Sequence, residues 1–134
     1  MFVLNQRLRD DTVEVTRLKL SLVLLMKDRS FPWLILVPQR RDICEIHELT
    51  AEDRTILIEE ISSASQAVKR LYNPDKINIG ALGNIVPQLH IHVIGRFKKD
   101  RAWPGQVWGS GPAEAYSDEE LRVTCERFRE GLGS

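Results

Sequence analysis

Polar and apolar residues alternate from Leu18 to Leu22 and then give way to the apolar run Val23-Leu24-Leu25-Met26, as in a strand that passes from a sheet margin to its interior. A strand is therefore expected over Leu18 to Met26. Lys27 to Pro32 supplies turn residues, and Trp33 to Val37 is a second apolar run, so the two predict an antiparallel pair. Ahead of them, Leu4, Leu8 and Val13 among charges predict a short helix over roughly Leu4 to Asp10, followed by an extended piece. After the exposed polar stretch Gln39 to Asp42, Leu57, Ile61, Ala64, Val68 and Leu71 recur at spacings of three and four. They predict one long helix from Ala51 to Leu71, about 30 Å of rise. Thr50-Ala51-Glu52-Asp53 has the form of a capping box, with Asp53 reaching back to the cap, and Asn73-Pro74 stops the helix. Lys76 to Ala81 reads as a third strand, Gly83-Asn84 as a turn or bulge, and Val86 to Arg96 as a fourth strand. Ser117 caps a final helix ending near Gly131. The order of elements is that of a single domain over residues 1–134, with one long helix and a C-terminal helix.

Composition narrows the classes of partner. The 134 residues carry 43% hydrophobic and 28% charged residues, ordinary for one globular domain. Lys and Arg number 19 against 19 Asp and Glu, so no basic field draws in a nucleic acid polymer or an anionic membrane. The apolar run at Leu20 to Met26 is far short of the about 20 residues that cross a bilayer. Cys44 and Cys125 lack metal-ligand spacing and do not form a secreted disulfide framework, which favours a reducing cytoplasm.

Chemistry concentrates in the fourth strand. In Val86-Pro87-Gln88-Leu89-His90-Ile91-His92-Val93 the alternation places Gln88, His90 and His92 on one face and Leu89, Ile91 and Val93 on the other. Same-face neighbours lie roughly 6.5 to 7 Å apart, so one imidazole can attack an electrophile while the next touches another part of the same molecule. Two readings compete with this one. The histidines are satisfied structural residues, or His-x-His binds a metal with His47 as third imidazole, near Cys44, Glu45 and Glu48.

The stretch Asn78-Ile79-Gly80-Ala81-Leu82-Gly83-Asn84-Ile85-Val86-Pro87-Gln88-Leu89-His90-Ile91-His92-Val93-Ile94-Gly95-Arg96 resembles the signature of the histidine triad (HIT) superfamily, in which three histidines alternate with apolar residues before an arginine. The elements before it agree, with Val37-Pro38-Gln39-Arg40 leaving the paired strands and Glu48-Leu49-Thr50 opening the long helix. The resemblance covers about Leu18 to Arg96 and is nearest to small bacterial HIT proteins that resemble dinucleoside-polyphosphate hydrolases, with a Trp-Pro-Gly segment after the motif.

This resemblance implies an α+β, HIT-like fold with an antiparallel sheet, one long helix and a C-terminal helix, and a homodimeric nucleotide hydrolase or nucleotidyl transferase. It would cleave at the α-phosphorus of a nucleoside phosphoramidate or dinucleoside polyphosphate through a covalent nucleotidyl-histidine. His90 matches the nucleophile, and His92 the position that hydrogen-bonds phosphate or assists the leaving group. Asp28 matches a ribose-binding acid and Asn84 an amide on phosphate oxygens; read alone, both are also ordinary turn residues. Gln88 stands where most members carry the first histidine, so the motif is Gln-x-His-x-His, and an amide can still donate and accept. A nucleotide-binding or sensor protein with weak catalysis is the alternative. Trp33 replaces a histidine common at that strand start and is read as core or as a wall for the base. Trp103 and Trp108 are read as packing or as a cap on the nucleotide, and Lys98 to Arg101 as a solvated charge run or a basic lip. The sequence requires no cofactor, although a divalent metal is compatible with the chemistry.

Overall fold

The strand expected over Leu18 to Met26 is interrupted by a hairpin in the computed structural model, which describes residues 1–133. Strand β1 spans Thr12–Arg17 and β2 spans Ser21–Met26; Leu18 to Leu20 turn between them, with the Leu18 amide donating to the Ser21 carbonyl at 2.8 Å. The cause lies forty positions along the chain. The buried Glu60 carboxylate accepts from the Leu20 amide at 2.8 Å and the Ser21 amide at 3.0 Å, satisfying donors that a continuous strand would have turned to the sheet.

Strands β3 (Trp33–Pro38), β4 (Lys76–Gly80) and β5 (Ile91–Arg96) complete a five-stranded antiparallel sheet in the order β1-β2-β3-β5-β4. Helix α1 spans Gln6–Asp11, α2 spans Ala51–Tyr72 and α3 spans Asp118–Gly133, with a 3-10 turn at Ile46–Glu48. The α+β architecture is the one that the resemblance implies.

Helix α2 begins at the expected cap, where the Thr50 hydroxyl accepts from the Asp53 amide at 3.1 Å. The reciprocal half of the box does not form, because the Asp53 carboxylate is drawn into a two-bond pair with Arg40 at 2.8 and 3.1 Å. The reciprocal box forms instead at α3, between Ser117 and Glu120, with both bonds at 3.1 Å. Asn73, left-handed at φ 48° and ψ 55°, ends α2.

Period-two alternation gives the sheet two apolar faces. Val23, Leu25, Leu34, Leu36, Ile91 and Val93 pack with Leu57, Ile61, Ala64 and Val68 of α2 and Phe128 of α3. Each such buried Val, Leu, Ile or Phe side chain stabilises the fold by roughly 1.5–3 kcal/mol relative to exposure. Leu22, Leu24, Trp33, Ile35, Val37 and Ile94 form the opposite face with Leu8, Phe31, Val86 and Val107. This second face lacks a long covering helix, and the candidate site lies there.

Arg96 closes β5 as a buried cation. It makes two bonds to Asp100, at 2.9 and 3.1 Å, and one to Asn78 at 2.6 Å, and so fixes the turn that sends the tail back over the second face.

Candidate active site

His90 immediately precedes β5 and His92 lies within it, opposite Ile35 of β3. The strand is shorter than expected. Val86 to His90 lies outside the sheet, and the Leu89 amide donates to the Ile43 carbonyl at 2.9 Å. Both imidazoles are buried on the second face, with ring centroids 5.0 Å apart. Gln88 does not join them. Its side-chain oxygen accepts from the Asn5 amide and its amide nitrogen donates to the Val3 carbonyl, both at 2.8 Å, so that side chain secures the N-terminal segment. The expected three-residue polar ladder is therefore two imidazoles, and residue 88 meets His90 through its main chain.

Partners on the protein side distinguish the two rings. His90 Nδ1 lies 2.7 Å from the Gln88 carbonyl oxygen, which can only accept, so in the neutral ring Nδ1 carries the proton and Nε2 the lone pair. His92 has the opposite arrangement. Its Nδ1 accepts at 2.9 Å from the Trp33 indole Nε1–H, which can only donate, so the proton of the neutral ring is on Nε2. Burial, then the neighbouring His90, push the His92 pKa from 6.5 down to about 3. The ring is thus neutral at physiological pH. Trp108 stands edge-on to His92 with centroids 5.2 Å apart; a Cβ at Gly80 would lie 2.9 Å from the Trp108 ring, so glycine is what admits that indole.

A cavity of about 570 Å³ opens over these rings. Leu8, Met26, Val107 and Trp108 give it apolar walls, while Asp28, Asn84 and Arg101 supply polar ones. Asp28 is buried: one carboxylate oxygen accepts from the Ser30 and Glu114 amides at 3.0 and 3.2 Å, the other from Arg101 Nη2 at 3.0 Å. Burial alone would raise its pKa, but the Arg101 guanidinium and the two amides outweigh that and hold the carboxyl below its usual range. Arg101 also donates to Ser30 Oγ at 2.9 Å and stacks over Phe31 at 4.9 Å. Asn84 is exposed on the cavity rim. His47 lies in the exposed 3-10 turn, and among the described residues no three His, Cys, Asp or Glu side chains are grouped to hold a metal ion.

A model of the HIT domain matches residues 7–99, more than half of the chain. The chain belongs to the HIT family. It is similar over nearly its whole length to three solved HIT structures. A histidine triad protein of Sinorhizobium meliloti is 49% identical, with 98% of this chain and 97% of that one covered and a TM-score of 0.95. One from Marinobacter aquaeolei is 43% identical, covering 99% and 97%, with a TM-score of 0.96. One from Bradyrhizobium japonicum is 43% identical, covering 98% of each chain, with a TM-score of 0.95. A curated relative, the asymmetrical bis(5'-nucleosyl)-tetraphosphatase of Schizosaccharomyces pombe, is 28% identical over 89 residues. These are 63% of this chain, which spans about half the length of that relative, 49%.

In this HIT chain four of the five residues singled out in the sequence, Asp28, Asn84, His90 and His92, line one cavity. Sequence reasoning missed two partners. Trp33, read as core or base wall, is the donor to His92, and Arg101, read as part of a charge run, is the partner of Asp28. The departure at Trp33 from the pattern that the resemblance implies was the signal for the first. The second had no local signal, since Asp28 and Arg101 stand 73 positions apart.

Proposed function

We propose that this HIT protein is a nucleotide hydrolase or nucleotidyl transferase acting at the α-phosphorus of a nucleoside phosphoramidate or dinucleoside polyphosphate. The observation that carries the reading is the pairing of a lone pair on His90 Nε2 with an N–H on His92 Nε2 beneath one cavity. In the first step the His90 Nε2 lone pair forms a bond to phosphorus while the bond to the leaving group breaks and that group takes its electron pair. His92 donates a hydrogen bond to phosphate or leaving-group oxygen. In the second step water, or another acceptor, forms the new bond to phosphorus, the phosphorus–nitrogen bond breaks, and the water proton passes to solvent. Gln88 serves through its carbonyl, which holds the proton on His90 Nδ1 and so keeps Nε2 nucleophilic. Asn84 is assigned to the phosphate oxygens. Asp28 is assigned to the ribose hydroxyls, since the oxygen that meets Arg101 retains a lone pair.

The test is kinetic. His90→Ala is expected to lower kcat/KM for a dinucleoside tetraphosphate at least about a thousandfold while the far-UV spectrum is unchanged. Wild-type turnover in that variant would refute the assignment.

One observation favours a second reading, a nucleotide-binding or sensor protein with weak catalysis: the side chain at the first triad position is diverted to Val3 and Asn5. Submicromolar nucleotide binding without turnover on either substrate class would favour that reading. Because residue 88 faces the N-terminal segment, Gln88→His is expected to leave turnover within about threefold of wild type.

The protein is also proposed to act as a cytoplasmic homodimer. The outer edge of β4 has no strand partner among the described residues, and Ile79 stands exposed on it. Among those residues no helix is long and apolar enough to cross a membrane. Sedimentation equilibrium of wild type and Ile79→Lys tests the pairing; a dimer that the lysine dissociates is the expected result.

A further inference from the structure

In the mechanism above, His92 donates from Nε2 because Trp33 occupies Nδ1. An indole N–H cannot accept, so the bond from Trp33 is incompatible with a proton on His92 Nδ1 and with a doubly protonated ring. Trp33 is itself buried, closed in by Phe31 edge-on at 6.2 Å, and it cannot turn away without opening the second face of the sheet. Trp108 closes the other side of the His92 ring.

The charged groups that line the cavity come from three elements. Helix α1 brings Arg7, Asp10 and Asp11, the end of β2 brings Lys27 and Asp28, and the tail brings Arg101. Among the described residues none of them hydrogen-bonds His92. Lys27 Nζ is engaged by the Asp10 carbonyl at 3.1 Å, and Asp28 and Arg101 by each other. Neither imidazole is thus accompanied by a group built to supply a second proton.

We propose that Trp33 is a positioning residue that fixes His92 as a neutral Nε2–H donor, and that the site therefore favours phosphoanhydrides over phosphoramidates. The chemistry follows from the leaving groups. When His90 Nε2 bonds to phosphorus and the anhydride P–O bond breaks, the departing phosphate carries the electron pair away on an oxygen whose conjugate acid has a pKa of only about 6. A hydrogen bond is enough for it. When a P–N bond breaks, the amine must gain a proton as it leaves, and a neutral imidazole that has only its Nε2 proton and cannot recover one through Nδ1 is a poor source.

This inference rests on the hydrolase reading and is tested so that the two can fail separately. Adenosine 5'-phosphoramidate and diadenosine tetraphosphate are compared with wild type, Trp33→Phe and Trp33→His. The wild type is expected to show kcat/KM at least about tenfold higher for the tetraphosphate. Trp33→His, whose imidazole can pass a proton to Nδ1, is expected to raise phosphoramidate turnover relative to tetraphosphate by about tenfold. A merely structural tryptophan would lower both substrates together. A wild type that prefers the phosphoramidate, or a substrate ratio unmoved in both variants, overturns the inference and leaves the hydrolase reading standing. Turnover of neither substrate contradicts both. Nitrogen-15 spectra of the imidazoles give a readout independent of activity: His92 is expected as the Nε2–H tautomer in wild type from pH 5 to 8, with the signature lost in Trp33→Phe. A wild-type His92 with its proton on Nδ1 would refute the assignment of Trp33.

Discussion

At the scale of single residues, the two imidazoles differ in which nitrogen carries the proton, and groups outside the pair decide it. A carbonyl holds the proton on Nδ1 of His90, and an indole keeps it off Nδ1 of His92. The consequence for stability follows from linkage. His92 has a pKa of about 3 in the fold against 6.5 unperturbed, so below about pH 6.5 the unfolded chain binds a proton that the folded one refuses. Stability from this group is therefore complete above pH 6.5 and is lost as the pH falls toward 3. By pH 5 the loss is about 2 kcal/mol, at 1.36 kcal/mol for each unit below the unfolded pKa. Asp100 adds to it only further down. Burial raises its pKa, but the Arg96 hydrogen bonds and main-chain amides bring it from 3.8 to about 2, and its contribution disappears as the pH falls through that interval. Urea titrations at pH 7 and pH 5 measure the first effect. His92→Gln is expected to remove most of the difference between the two pH values, and an unaltered difference would contradict the neutral-ring account.

At the scale of elements, the sheet and the helix α2 meet where β5 has no side chain. A Cβ at Gly95 would stand 2.7 Å from Pro32 Cγ and 3.0 Å from Val68 Cγ1, and the Gly95 amide donates to the Pro32 carbonyl at 2.8 Å. Gly95→Ala must therefore push β5 from the helix or from the strand that carries Trp33, at a cost of roughly 1–3 kcal/mol. A lowered denaturation midpoint checks this. Gly80→Ala strikes an indole instead of the core, and is expected to shift Trp108 off His92 and change its fluorescence with a smaller loss of stability. Periodicity in the sequence was enough to find α2, β3 and the apolar faces, because those depend on residues within one element. It was not enough for the turn at Leu18 to Leu20, set by Glu60, nor for the reciprocal half of the capping box at Thr50, where Arg40 takes the Asp53 carboxylate. The same limit applies to Gln88. Alternation places it beside His90, but the strand has not yet begun at residue 88, and two main-chain groups from the N-terminal segment claim its side chain.

At the scale of the whole molecule, the cavity exists because the chain after β5 is folded back and fastened. Arg96 and Asp100 start the return, and Arg101 ties it to Asp28 at the end of β2. Removing Arg101 leaves Asp28 buried with its charge held by main-chain amides and the Ser30 hydroxyl alone. Arg101→Ala is expected to cost about 2 kcal/mol, from the loss of a hydrogen bond to a charged group, to speed amide exchange between residues 101 and 114, and to raise KM more than it lowers kcat. The same fastening carries Trp108 onto His92, so one loop contributes both a wall of the cavity and one side of the imidazole that donates into it. The central claim is that chemistry at this cavity passes through His90 as a covalent intermediate. Rapid quenching of wild type mixed with an α-phosphorus-labelled dinucleoside tetraphosphate tests it most directly. The label is expected on a peptide containing His90, labile in acid and stable in base, and absent from His90→Ala. Multiple turnovers with no label on the protein at any quench time would contradict it.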